Sequence, residues 1–469
     1  LTVGQSIEPA LSNGLRRISL PGVFSSPRVF LSESSRMKRA STFLALLVLW
    51  LFTAAPDAHA EKNRKTAAAN LQASVGEKSG KASRKSRASS ANARTRTENS
   101  DGRAEADLID IYKLIGQAKT REALPLAESL VRNHPNFQLA QLVYGDLLTA
   151  QLRPVRNLGD VPDTTAKAAA PQLQELRKES QLRLQALRER PAAGLIPSQF
   201  IALSAQNKHA IAVDATKSRL YLFENSTTGL KLLADYYISV GKSGTEKSTE
   251  GDLRTPLGVY FITSNLDPKS LKEFYGSGAL PINYPNPLDI KRGKTGSGIW
   301  LHGTPSAQFS RAPLATDGCV VLANPDLERI IKTVQVRTTP VVIAQSLKWV
   351  APMTARSDSK AFEEALSGWS SAKSSGDISR LLTWYASDFN SYGKKLSEYS
   401  PAIQAEVKQL GGRNLQLKDV SYLRWTDSND TMVVTFGELV QGARTGQTKR
   451  QYWTRQDGQW KIFFEGVIG

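Results

Sequence analysis

The chain of 469 residues is poor in the residues that carry most metal and redox chemistry: one cysteine, four histidines and three methionines. A single cysteine excludes an internal disulfide framework and any zinc site built from several thiolates. Long apolar runs are missing too. The run Phe43 to Phe52 spans about ten residues, against the ~20 that an ordinary membrane helix needs. There is no phosphate-binding loop: Gly241-Lys242-Ser243 has the right ending, but the motif requires glycine where the chain has Tyr236. With 40% apolar and 22% charged residues the composition is ordinary for globular domains. That excludes a wholly disordered chain and a polytopic membrane protein, and the length suffices for roughly two to four domains.

What is present in excess is positive charge, 61 Lys and Arg against 43 Asp and Glu, a net +18. Such a surplus invites nucleic-acid binding, so its location matters. Residues 61–103 hold 11 basic and 4 acidic side chains among Ser and Ala, with almost nothing to bury. They read as a basic disordered linker. Upstream, Met37-Lys38-Arg39, the run Phe43 to Phe52, and Ala58 and Ala60 have the layout of a secretory signal over 37–60. An uncleaved anchor is the alternative. Residues 1–36 precede that methionine and read as a leader without fold. With these segments set aside, only about +8 remains for the folded residues. Export to the periplasm or cell envelope argues against nucleic acid as a partner. A basic linker would there meet anionic lipid headgroups or wall polymers, the plain alternative being a solvated tether.

Beyond the linker the periodicity changes twice. Residues 104–192 read as helical. Over 104–151 two amphipathic helices are expected, one carrying Leu108, Ile111, Tyr112, Ile115, Leu124, Ala127, Leu130 and Val131 up to a stop at His134-Pro135, the next carrying Phe137, Ala140, Leu142, Val143 and Leu147. The pattern resembles a tetratricopeptide-type (TPR-like) hairpin of about one and a half repeats, acting as a cap or spacer. A charged helix over about 171–190 follows, with a stripe of Leu173, Leu176, Leu184 and Leu187. From 208 to 345 the chain is mostly β. Strands are expected at 209–214, 219–223, 234–240, 255–262, 297–302 and 341–345, with a short helix at 327–334. Residues 358–469 place helices first and four strands afterwards, the last two joined at Asp457-Gly458, which indicates an α+β cone.

Cys319 and His302 lie in one stretch, Ile299 to Asn324. The other histidines fall in the signal (His59), at a helix end (His134) and at a strand start (His209), so any Cys–His pair is most economically Cys319 with His302. A thiol nucleophile needs a base within hydrogen-bond reach, so that thiolate forms near neutral pH, and donors aimed at the developing oxyanion. Gly318 permits a tight turn and a close approach of substrate. The plain alternative is a small buried hydrophobe between Gly318 and Val320. Nothing in the pattern calls for a metal or cofactor.

His302-Gly303, a spacer and Thr316-Asp317-Gly318-Cys319-Val320 together resemble the motif of the YkuD-type L,D-transpeptidases. The segment from Thr255-Pro256 to Gly258-Val259-Tyr260 is similar to that family's T-P-x-G-x-Y/F stretch. The resemblance covers roughly 208–345. It implies Cys319 as nucleophile, His302 as general base and later acid, the Gly303 carbonyl orienting His302, and the Gly318 and Cys319 N–H groups stabilising the oxyanion. Thr316, Asp317 and Tyr284 become candidates for contacting substrate, the alternative for Tyr284 being structural packing. Two positions depart from the family: Val321 stands where many relatives have Arg, and Asp317 where His or Arg is more usual. The implied reaction is acyl transfer on peptidoglycan stem peptides. The thiol attacks the diaminopimelate carbonyl of a tetrapeptide, D-Ala leaves, and an amine resolves the thioester; water in that role would make the enzyme an L,D-carboxypeptidase. Through Trp369, Gly376-Asp377, Tyr385, Phe389, Trp453 and Trp460, residues 358–469 resemble NTF2-like domains. The pairing of the two resembles cell-shape wall enzymes. From another class, the two departures suggest a wall-binding scaffold that has lost activity.

Overall fold

The computed structural model describes residues 101–468, apart from 358, 428 and 429. The leader at 1–36, the signal at 37–60 and the basic linker through residue 100 lie outside the described residues. Among the described residues no helix is long and apolar enough to cross a membrane.

Three helices, not two, open the described chain: α1 (Arg103–Gly116), α2 (Thr120–Asn133) and α3 (Gln138–Thr149). The unexpected break follows Gly116. There Ala118 takes a positive φ of 58° and the Lys119 N–H folds back onto the Leu114 carbonyl. Leu108, Ile111, Ala127, Leu130, Phe137 and Val143 build a small core between these helices. The charged helix α4 (Ala170–Arg188) packs through only part of the expected leucine stripe, with Leu173 buried and Leu176 packed against that small core. Leu187 is exposed, while Glu179, Ser180 and Arg183 are buried beside Leu173, Leu182 and Ala186. The reason is electrostatic. Arg183 bridges Glu179 at 2.7 Å and Glu105 at 2.8 Å, and Glu105 also bridges Arg219 of the central sheet at 2.8 Å.

Burial alone would raise the Glu105 pKa, but Arg219 and Arg183 outweigh it and hold the carboxyl at about 2. Because the folded value is depressed, this stabilisation is present above the ordinary value of 4.5 and is lost as pH falls toward 2. Removing one member of a buried charge network strands the others. Glu105→Gln should therefore cost about 3–5 kcal/mol in urea unfolding at neutral pH. The penalty should shrink in acid; a loss unchanged by acid would contradict this account.

The central sheet has nine strands: β1 (His209–Asp214), β2 (Arg219–Ser226), β3 (Gly229–Gly241), β4 (Gly258–Phe261), β5 (Ala279–Pro281), β6 (Trp300–His302), β7 (Leu314–Thr316), β8 (Val320–Leu322) and β9 (Pro340–Ala344). Their order is β4-β9-β1-β2-β3-β8-β6-β5, with β7 against β3. Helices α5 (Pro287–Lys291) and α6 (Asn324–Thr333) interrupt it. Both faces are buried. Ala210, Ala212, Tyr221 and Phe223 enter one core; Ile211, Val213, Leu220 and Leu222 enter the other. Two-sided burial is why these strands are apolar at almost every position.

The first of those cores is continuous with the C-terminal unit, whose Phe362, Trp369 and Trp453 belong to it. Helices α7 (Lys360–Ser375), α8 (Ile378–Leu382) and α9 (Leu396–Leu410) precede strands β10 (Leu415–Thr426), β11 (Asp430–Val440), β12 (Gln447–Gln456) and β13 (Gln459–Val467). The strands form an antiparallel sheet, and the segment Phe200–Ala202 adds to its β10 edge. Asp457 and Gly458 both take positive φ at the β12–β13 turn, as the Asp-Gly pair predicts. The cone's interior is ionic: Lys373 and Lys449, each 1% exposed, sit among Glu406, Glu438 and Glu465.

Candidate active site

β6 and β8 run parallel, with Leu301 opposite Val320 and His302 opposite Val321. Leu301, Val320 and Leu322 enter the core. Strand alternation then puts Trp300, His302 and Val321 on the other face, and Cys319, one residue ahead of β8, follows the same parity. The ladder thus sets the thiol and the imidazole on one side of neighbouring strands.

His302 is 1% exposed, walled by the Tyr275 and Phe274 rings at 5.1 and 5.8 Å. Its Nδ1 lies 2.8 Å from the Gly303 carbonyl oxygen. A carbonyl can only accept, so Nδ1 carries the hydrogen and Nε2 is the basic nitrogen. A Cβ on Gly303 would lie 2.0 Å from Asn324 Oδ1, which leaves no room for one. That Asn324 oxygen accepts the Ser277 and Thr304 N–H groups, tying the His-Gly turn to the start of α6.

The nucleophile loop is held by two threonines. The Thr316 hydroxyl donates to the Cys319 carbonyl at 2.7 Å and accepts the Gly318 N–H at 3.1 Å. The Thr255 hydroxyl donates to the Gly318 carbonyl and accepts the Gly241 N–H, both at 2.9 Å. The Thr-Pro segment therefore pins the loop to the end of β3. Gly318 sits at φ 126°, and a Cβ there would come within 2.7 Å of the Arg254 carbonyl. The thiol is half-buried and donates to the Gly298 carbonyl at 3.5 Å.

Among the candidate substrate contacts, Asp317 is exposed, paired with Lys242 at 2.9 Å. Thr316 is buried, its hydroxyl committed to the loop. Tyr284 is a core residue that donates its hydroxyl to the Thr295 carbonyl. The Gly318 N–H, expected to face the oxyanion, is occupied by Thr316 because the turn is so tight. The motif also gives no sign of three residues. Arg311 lies 4.4 Å over the Phe274 ring, and its charge acts on both Cys319 and Asp317. It returns a guanidinium to a site where Val321 withholds one. Phe309, in the same spacer, stacks on Phe137 of the helical region at 4.4 Å, and its N–H donates to the Asn136 carbonyl at 3.1 Å. Ser310 donates to Glu179 of α4 at 2.8 Å. The N-terminal helices are thus more than a spacer, since they buttress the loop that joins His302 to Cys319.

Burial pulls His302 down to about 4; the Gly303 hydrogen bond opposes this and Arg311 reinforces it. Burial likewise pushes the Cys319 thiol above its ordinary 9.0, with the Trp300 backbone N–H opposing, Asp317 adding, and Arg311 and Lys247 opposing. The resting pair is therefore neutral imidazole with neutral thiol, not the thiolate that the Cys–His pairing suggests. Alkylation of the only thiol by iodoacetamide should accelerate with pH through a midpoint above 9, without a plateau across the neutral range. A plateau at neutral pH would reveal a preformed ion pair and contradict this. Among the described residues no three His, Cys, Asp or Glu side chains are grouped to hold a metal.

Residues 208–343 match the L,D-transpeptidase catalytic domain family YkuD, and residues 361–466 match the Cds6 C-terminal NTF2-like domain. No curated protein matched. Similar solved structures include Bd1075 of Bdellovibrio bacteriovorus, 23% identical over 58% of this chain and 98% of that one, with a TM-score of 0.49. Another is the helical cell shape determining protein Pgp2 of Campylobacter jejuni, 21% identical over 62% of this chain and 99% of that one, with a TM-score of 0.47. The chain carries a YkuD L,D-transpeptidase catalytic domain followed by a Cds6-type NTF2-like domain.

Proposed function

We propose that the protein is an exported cysteine L,D-transpeptidase of the cell envelope that acts on peptidoglycan stem peptides. The observation that carries this reading is the placement of Cys319 and His302 on one face of adjacent parallel strands, with Nδ1 anchored on Gly303 and Nε2 left basic. As Cys319 Sγ bonds to the diaminopimelate carbonyl carbon of a tetrapeptide, its proton passes to His302 Nε2 and the carbonyl electrons move onto oxygen. The Cys319 N–H is the oxyanion donor, because the Gly318 N–H is committed elsewhere. Collapse breaks the carbon–nitrogen bond, and the imidazolium gives its proton to the departing amine of D-Ala. An amine of a second stem then attacks the thioester, its proton returns through His302, and the thiol is restored. Arg311 supplies the cation that holds a stem carboxylate. The basic linker tethers the enzyme to anionic wall polymers or headgroups.

Incubating the exported chain with purified tetrapeptide muropeptides should yield free D-Ala and cross-linked dimers. Tripeptides without dimers would reassign the acceptor to water and the enzyme to L,D-carboxypeptidases. Absence of D-Ala would overturn the reading.

A further inference from the structure

β12 has two faces. Lys449 sits within the charged cone interior, so alternation turns Arg450 and Tyr452 toward the catalytic domain. Both line a cavity of about 510 Å³ between the two domains, closed on the catalytic side by Asn283, Pro287 and Lys291. It shares no residue with the Cys319 site.

Arg450 is 8% exposed. Its guanidinium lies 3.2 Å from the Phe261 ring centroid, Nε donates to the Thr435 hydroxyl at 2.9 Å, and one terminal nitrogen reaches the Arg337 carbonyl at 3.5 Å. Among the described residues the charge-capable neighbours acting on it are Tyr452 and Tyr392, and none is a carboxylate. Burial accordingly pulls it down to about 10. Other charges at the cavity cancel, because Lys291 pairs with Asp388. The cavity is left with one uncompensated cation. The Tyr452 hydroxyl, also buried, lies beside Asn283 without closing a hydrogen bond of normal geometry. Phe463 and Phe464 form apolar walls. A buried cation with unused donors is an anion site in want of its anion. One positive charge and aromatic walls suit a monoanionic carboxylate on an aliphatic body better than a doubly charged phosphate.

We propose that this interdomain cavity binds the carboxylate of an N-acylated amino acid or short peptide, held by Arg450, with Asn283 and Tyr452 as further donors. The proposal does not depend on the chemistry of Cys319. Its test is a ligand-observed NMR titration of the full chain carrying Cys319→Ala, so that nothing turns over. The probes are N-acetyl-D-alanine, N-acetyl-D-alanyl-D-alanine and the C-terminal amide of the latter. The acids should bind saturably and the amide at least about tenfold more weakly. A dipeptide acid tighter than the single residue identifies a peptide terminus; equal affinity identifies the amino-acid carboxylate alone. Adding Arg450→Met should weaken acid binding by about tenfold or more without lowering the melting temperature, since it removes an uncompensated buried charge. Tyr392→Ala, at the exposed rim, should weaken it by roughly threefold through lost packing and serves if Arg450→Met does not fold. No saturable acid binding, equal binding of acid and amide, or full affinity in whichever of these variants folds would overturn the proposal.

Discussion

Cys319→Ala is expected to eliminate D-Ala release from tetrapeptide stems, a fall of at least about 10⁴-fold. Alanine offers no atom to form the thioester, and no other cysteine exists in the chain to substitute for it. The fold should survive. The thiol is half-buried, and the hydrogen bond it donates, to Gly298, is long at 3.5 Å. The backbone around it is held by Thr316 and Thr255, which the substitution leaves untouched. The measurement is D-Ala release alongside the melting temperature. Retained turnover in a folded variant would refute the nucleophile assignment and favour a scaffold that binds wall material without acting on it.

His302→Gln should reduce kcat/KM by about 10³-fold, near the middle of the range for loss of a general base. Glutamine fills similar space and can still donate to the Gly303 carbonyl, but it cannot take the thiol proton. The pH profile separates this role from a structural one. His302 must be neutral to act as base, and burial holds its pKa at about 4. Activity of the parent enzyme should therefore persist through mildly acidic pH and fall only as pH drops through about 4, rather than through the ordinary 6.5. The residual activity of His302→Gln should lack that acid limb. A limb near 6.5 in the parent, or an unchanged limb in the variant, would contradict the assignment.

Much of the fold was legible because its signals are local. The Asp457-Gly458 hairpin, the strand pair 209–214 and 219–223 and the helix stop at His134-Pro135 all occur as the residues predict. What failed was long-range. Leucine counting on α4 found Leu173 and Leu176 but missed the buried charges, because Arg183 is held by carboxylates from α1 and its own helix, and no helical period reports that. The segment Phe200–Ala202 joins a sheet whose other strands begin at Leu415, a pairing no local pattern encodes. At the site, the facing of His302 and Cys319 follows from two short strands once they are known to be parallel neighbours. Their protonation does not follow, because it depends on the Phe274 and Tyr275 walls and on burial of the thiol. Thr316 and Tyr284 were candidates for contacting substrate, and in the fold their hydroxyls donate to backbone carbonyls of the scaffold, which no sequence pattern reports. Arg311 lies in a spacer whose length alone is part of the motif, and the Arg450 cavity exists only where two domains meet.

The central claim is a covalent one, and intact-mass measurement tests it most directly. The chain, mixed with tetrapeptide muropeptide and quenched in acid, should gain the mass of the substrate less one D-Ala. Peptide mapping should place that mass on Cys319, and Cys319→Ala should show none. A chain that releases D-Ala while never carrying the adduct, or carries it at a residue other than Cys319, would contradict the account.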